Sequence, residues 1–293
     1  HISTSFLKWN PLNDSLRIFR TGDVFSMYND IVAFKGDLTM GKDYLIGTGI
    51  LDWEKANLTA ANIDFKAREF FTKKGDLKVK ANDGDAFAFA TKNVNANVNF
   101  DSHIAKININ EPNTITELPA NQYQTNSEHY DWDMKNHSIT FKNEKSANNI
   151  YFQSIDKSMD SIQFSAKEVF YSLDDYILKA KGVSEIQLAD SKAIPDKGEL
   201  TVDKTGKFSN LINATLLLNK DTLFHTIKEA EIEIFTKNKF NAKGILNITT
   251  PSGNIQKVNI PELNVLVDTV NLEKRKKENL SINYYCKGRG YVE

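Results

Sequence analysis

Apolar and polar residues alternate with a period of two along most of this chain. Val94, Ala96, Val98 and Phe100 alternate with Asn95, Asn97 and Asn99, and Ala105, Ile107 and Ile109 with Lys106, Asn108 and Asn110. The same rhythm runs through Leu77-Lys78-Val79-Lys80 and Glu231-Ile232-Glu233-Ile234. It breaks at Ile245 and resumes in Leu246-Asn247-Ile248-Thr249. Successive side chains of a strand point to opposite faces, so each segment predicts a ribbon with one apolar and one polar side. Such ribbons build antiparallel sheets that bury one face. Phe87 and Phe89 among Ala86, Ala88 and Ala90, then Ile162, Phe164 and Ala166, then Leu216 and Leu218, predict strands that fill a core. Helical signals are sparse. Leu51–Leu58 and Asn271–Glu278 would each accept a short turn, and neither carries a wide apolar stripe.

A hexapeptide phrase recurs four times with the form Lys-Gly-x-Leu-x-apolar. The copies are Lys35-Gly36-Asp37-Leu38-Thr39-Met40, Lys74-Gly75-Asp76-Leu77-Lys78-Val79, Lys197-Gly198-Glu199-Leu200-Thr201-Val202 and Lys243-Gly244-Ile245-Leu246-Asn247-Ile248. It predicts a glycine at a turn followed by a strand. The second and fourth copies also match upstream without gaps: Ala61, Ile63, Asp64, Phe65 and Phe71 align with Ala230, Ile232, Glu233, Ile234 and Phe240. The glycines are spaced by 39, 123 and 46 residues, which fits a repeating unit of about 40 residues and a stacked β-architecture. Interruptions at Glu111-Pro112-Asn113-Thr114, Leu118-Pro119-Ala120-Asn121 and Ile194-Pro195-Asp196 mark long turns or boundaries. The expected organisation is a β-repeat unit over 1–112, a connecting segment with further strands over 113–159, and a related unit over 160–293. The expected fold is all-β: an elongated antiparallel β-jellyroll or a repeat-stacked sheet.

Charge narrows the function classes. Of 293 residues, 37 are basic and 38 acidic, so no positive surplus exists to hold a phosphate backbone and nucleic acid is not an expected partner. No apolar run approaches the roughly 20 residues of a membrane-spanning helix. The single cysteine, Cys286, excludes an intrachain disulfide framework or a multi-cysteine zinc site. The chain starts at His1-Ile2-Ser3 and reads as a segment of a longer protein.

Motifs that carry chemistry are absent from the sequence: there is no Gly-x-Ser-x-Gly elbow, no complete phosphate-binding Gly-x-x-x-x-Gly-Lys-Ser/Thr and no His-Glu-x-x-His. The densest polar cluster is Glu128-His129-Tyr130-Asp131-Trp132-Asp133. At strand spacing His129, Asp131 and Asp133 share one face. With His137 across a turn they would suit a metal, but a solvated face over an aromatic core face explains them as well, and no metal or other cofactor is expected. Asn82-Asp83-Gly84-Asp85 lacks the alternating acidic ligands of a calcium loop and predicts a turn. Lys274-Arg275-Lys276-Lys277 reads as a solvated basic run. No enzymatic activity is expected.

Several phrases resemble a known family. Gly47-x-Gly49-x-Leu51, Ala56-x-Leu58-x-Ala60 and Lys74-Gly75-Asp76-Leu77-Lys78-Val79 resemble the periplasmic β-jellyroll repeats of lipopolysaccharide-transport (organic-solvent-tolerance) proteins. Leu188–Pro195, Asn213-Ala214 and Phe224–Ala230 are similar to long repetitive cell-envelope proteins of Bacteroidota, including the plug partner of the type nine secretion translocon. The resemblance implies a periplasmic or outer-membrane-associated location, an open β-structure and no catalytic residues. The resulting expectation is a non-enzymatic β-repeat protein that docks an envelope or outer-membrane protein through strand edges or an aromatic face. Tyr130, Trp132 and Trp53 are the expected partner-binding residues. Two alternatives are a carrier of lipid or lipopolysaccharide in an apolar groove, and a carbohydrate-binding module using Trp9, Trp53 or Trp132 as a stacking platform.

Overall fold

A computed structural model describes residues 5–20, 24–82, 86–112, 114–142, 149–218, 225–249 and 253–266. About 68% of those residues lie in strands, the strands pair antiparallel, and no α-helix occurs among them. The first strands are β1 (Ser5–Asn10), β2 (Ser15–Arg20), β3 (Phe25–Met27), β4 (Val32–Met40), β5 (Leu45–Trp53), β6 (Ala56–Phe65), β7 (Glu69–Lys80), β8 (Phe87–Asn99) and β9 (Ile104–Ile109). Short strands follow: β10 (Thr116–Leu118), β11 (Tyr123–Thr125), β12 (His129–Asp133), β13 (Ser138–Lys142), β14 (Ile150–Ser154), β15 (Gln163–Ala166) and β16 (Glu168–Ser172). The last are β17 (Leu178–Lys181), β18 (Ile186–Leu188), β19 (Ser191–Ile194), β20 (Glu199–Val202), β21 (Leu211–Leu218), β22 (His225–Thr236), β23 (Lys239–Thr249) and β24 (Ile255–Leu266). Among the described residues the only helical elements are single 3-10 turns at Pro119–Asn121, Lys157–Met159 and Asp196–Gly198.

The chain forms two compact units. One comprises His1–Ala120, Thr125–Lys145 and Phe170–Tyr176, the other Asn121–Gln124, Ser146–Val169 and Ile177–Glu293. The segment 113–159 therefore contributes to both. Residues 267–293 lie outside the described residues, and with them the helical turn expected at 271–278, the basic run 274–277 and Cys286. Residues 83–85 of the expected Asp-Gly turn lie outside them too.

In the first unit the strand order is β1-β2-β4-β5-β6-β7-β8-β9-β12-β13, every pair antiparallel. Strands distant along this meander meet face to face. Trp53 on β5 lies 5.9 Å, ring to ring, from Trp132 on β12 and 5.4 Å, edge on, from Phe70 on β7. Tyr28 lies 4.7 Å from Phe100. The sheet thus curls over its own apolar side, because an inner face this greasy needs a second layer to cover it. The short helical turn expected within Leu51–Leu58 is instead the end of β5, a two-residue turn at Glu54-Lys55 and the start of β6. Leu51, Trp53, Ala56, Leu58 and Ala60 all bury on one face at spacing two, which a helix would have split between its sides.

The ungapped repeat corresponds to real pairing. Leu58 faces Leu77 across β6 and β7, and Ile227 faces Leu246 across β22 and β23, each 169 positions further on. The flanking strands follow suit: Leu51 faces Leu58 and Leu216 faces Ile227, while Leu77 faces Thr91 and Leu246 faces Val258. The two central hairpins share this register only away from their turns. Beside the turn Phe71 faces Asp64, whereas Phe240 faces Ile234 rather than Glu233, because β22 absorbs an extra residue between Lys228 and Glu231, with Glu229 at φ 51°.

The glycines of the repeated phrase do not sit where the sequence placed them. Gly36, Gly75 and Gly244 lie within strands, and only Gly198 lies in a turn. Their role is close approach rather than chain reversal. Gly36 faces Gly49 on the neighbouring strand, and a Cβ on Gly36 would fall on the Thr48 carbonyl oxygen and within 2.8 Å of Gly49 Cα. The Phe34 ring covers the space that Gly36 leaves open, and it packs edge on against Phe65 at 5.4 Å. Gly36→Ala should accordingly destabilise the protein by about 1–3 kcal/mol, the cost of forcing strand backbones apart. Lys35→Ala, on the exposed side of the same strand, should change stability by less than about 0.5 kcal/mol. Urea titration followed by far-ultraviolet circular dichroism measures both.

Candidate functional site

The structure places Tyr130, Trp132 and Trp53 in the core, so their side chains are not available to a partner. Tyr130 is fully buried, and Trp132 and Trp53 are each 2% exposed. Alternation along β12 correctly put Tyr130 and Trp132 on one face, but that face is the one the curled sheet covers. Tyr130 Oη bonds Thr116 Oγ1 at 2.6 Å and donates to the Ser127 carbonyl at 2.5 Å, while Thr116 donates to Thr91 Oγ1 at 2.9 Å. Burial pushes the phenol well above its ordinary range, against the opposing pull of the Thr116 and Thr91 hydroxyls. Trp53 Nε1 donates to Met134 Sδ at 3.3 Å.

The opposite face of β12 is only partly solvated. His129 is buried, with Nδ1 2.7 Å from Asn108 Oδ1 on β9 and Nε2 3.1 Å from Asp131 Oδ1. Lys142 on β13 reaches the other oxygen of Asp131 at 2.6 Å. Partial burial opposes ionisation of Asp131, but Lys142 and His129 outweigh it and hold the carboxyl below the usual carboxylate range. Asp133 instead accepts from the backbone and side chain of Asn136 at 2.9 and 2.7 Å, and His137 Nδ1 lies 3.0 Å from Asp174 Oδ1. The four side chains considered for a metal are thus engaged in separate local contacts. No group of three His, Cys, Asp or Glu side chains suited to a metal occurs among the described residues.

Two surface features of the first unit remain. One is a cavity of about 270 Å³ lined by Val79, Leu173 and the edge of Trp132, with Lys55, Asn82 and His137 at its rim. Trp132 Nε1 has no hydrogen-bond partner among the described residues. This volume lies below the range of ordinary small-molecule sites. It is too small for the acyl chains that a lipid-carrier reading requires.

The other feature is a corner where two neighbouring hairpin turns expose apolar side chains. Trp9 on β1 faces Leu16 on β2, Leu16 faces Met40 on β4, and Met40 faces Leu45 on β5. The row beside it runs Leu7–Ile18–Leu38–Gly47, from the open edge into the closed core. Leu38 is buried, whereas Leu7 and Trp9 are each 64% exposed and Leu12, at the tip of the β1–β2 turn, is 96% exposed. Met40 and Tyr44 are also exposed. On the other face of the hairpin Phe6 stacks on Phe19 at 5.5 Å, with Arg17 over the Phe19 ring at 5.9 Å and ion-paired to Asp37. Trp9 is the one tryptophan of the three that a glycan could reach. The sequence singles out only Trp9 of this corner, as a glycan platform, because single apolar residues in and beside turns are common. The available signal was Leu12 between Pro11 and Asn13, an apolar residue where turn chemistry favours polar ones.

Tyr130→Phe should cost about 1–2 kcal/mol, since it removes the buried hydroxyl that serves Thr116 and the Ser127 carbonyl. Asp131 supplies a pH-dependent contribution of defined sign. Its folded-state pKa is depressed, so the stabilisation is present above about pH 4. It is lost as acid takes the pH down through the lowered value. Asp131→Asn should therefore lower the urea midpoint at pH 7, and the gap from wild type should close below about pH 4. No protein-family model, curated protein or solved structure matches this chain.

Proposed function

We propose that this chain is a non-enzymatic docking protein of the cell envelope, held to a partner by the apolar corner at Leu7, Trp9, Leu12, Met40 and Tyr44. The observation that carries the reading is the run of core-type side chains past the edge of the covered sheet. An apolar row that continues from buried Leu38 to Leu7 at 64% exposure invites a cover. The location rests on the resemblance of the strand phrases to envelope repeat proteins.

The titrating groups favour a structural reading over a catalytic one. Tyr28, Tyr123, Tyr130 and Tyr171 are raised chiefly by burial, and each hydroxyl is tied to a backbone carbonyl, of Glu69, Gly206, Ser127 and Ala88 respectively. Asp156 and Asp203 are lowered within their own turns, by bonds from Ser158 and from Thr205 with Lys207. Perturbed groups of an active site converge on a cleft; these are spread through the core and turns.

Site-directed photo-cross-linking tests the reading. A photoreactive residue at Leu12 or Met40 should give a discrete adduct in envelope preparations from the source cell, and one at exposed Lys179 in the second unit should not. Leu7→Ser/Leu12→Ser should reduce the Met40 adduct at least tenfold. Equal labelling from all three positions, or none from Leu12 and Met40, would sink the proposal.

A further inference from the structure

The geometry points to a bilayer surface containing anionic lipid as what the corner docks on, an inference that rests on the docking reading above. A protein interface is met on one face, with matching shape. Here apolar side chains project from both faces of one hairpin and from its tip. Leu7 and Trp9 lie on one face, Phe6 at 47% exposure lies on the other, and Leu12 is almost wholly exposed at the turn. A medium that wraps the hairpin from all sides satisfies that arrangement, and a flat protein surface does not. The adjoining turn Gly41–Tyr44 adds Tyr44, whose ring lies over Gly41, with Lys42 and Asp43 cancelling in charge. Tryptophan and tyrosine beside aliphatic tips and basic residues are the side chains that settle at headgroup depth, with an apolar body and a polar end.

Charge agrees in sign. The hairpin over residues 5–20 holds Lys8, Arg17 and Arg20 against Asp14, a formal +2 on a chain of net −1. Asp37, ion-paired to Arg17, offsets one of these charges. The remainder favours anionic headgroups modestly, so the apolar insertion has to supply most of the hold.

The experiment uses the full chain with vesicles of phosphatidylcholine and of phosphatidylcholine mixed with phosphatidylglycerol. Trp53 and Trp132 are buried, so a change in tryptophan emission on binding reports Trp9. The expected result is sedimentation with the mixed vesicles, several-fold weaker binding to neutral ones, and a blue shift of emission with protection from acrylamide. Trp9→Phe should keep binding and lose the shift, which assigns the signal. Leu7→Ser/Leu12→Ser, checked for an unchanged circular-dichroism spectrum, should bind at least tenfold more weakly. Failure to sediment with either vesicle, equal binding to both, an unshifted emission, or full binding by the double variant would each overturn the inference. The two readings fail separately: a protein adduct from the cross-linker at Leu12, with no vesicle binding, would retain docking and remove the lipid.

Discussion

Most of the described strands have one greasy face to cover, and the meander gives most of them only two neighbours in the sheet with which to cover it. Hydrogen bonding runs from strand to strand and leaves both faces of the ribbon open. Burial of the inner face therefore depends on the sheet turning back over itself. In the first unit that turn is made by aromatic contacts between distant strands: Trp53 with Trp132, and Phe89 with Tyr130 and Phe141. Position 132 follows position 53 by 79 residues, so the cover is a non-local contact that no short window of sequence records.

Close packing of the layers explains two features that appear unrelated along the chain. Glycines inside strands let backbones approach where a Cβ would collide, and phenylalanine rings fill the room left over. Bulges let long strands bend: β22 takes an extra residue near Glu229, and β8 shifts register around Gly75's partner Val94. In three of its four copies the Lys-Gly-x-Leu phrase puts its glycine in mid-strand: Gly75 and Gly244 adjoin register shifts, and Gly36 faces Gly49 in an unbroken ladder.

The same constraint defines the surface. Where the second layer stops, the inner face goes on, and the rows through Leu38 and Met40 emerge at Leu7 and Trp9. The polar cluster on β12 took the opposite path. His129 went under cover and bonds exposed Asn108 and half-buried Asp131, so what looks in sequence like a ligand set is a local hydrogen-bond network.

Alternation alone was enough to read an all-β antiparallel fold, because side-chain direction in a strand depends only on parity. It was also enough to see the kinship of residues 61–79 and 230–248, because both hairpins need apolar residues at matching parity. It located Tyr130 and Trp132 on a shared face. Parity carries no information on which faces meet, and that decided the candidate site. Tyr130, Trp132 and Trp53, the expected partner-binding residues, are core, while Trp9, chemically no different, lies in the open. The physical reason is that burial belongs to pairs of surfaces: a residue's own strand fixes where it points, and only the layer folded over it determines whether it meets protein or solvent.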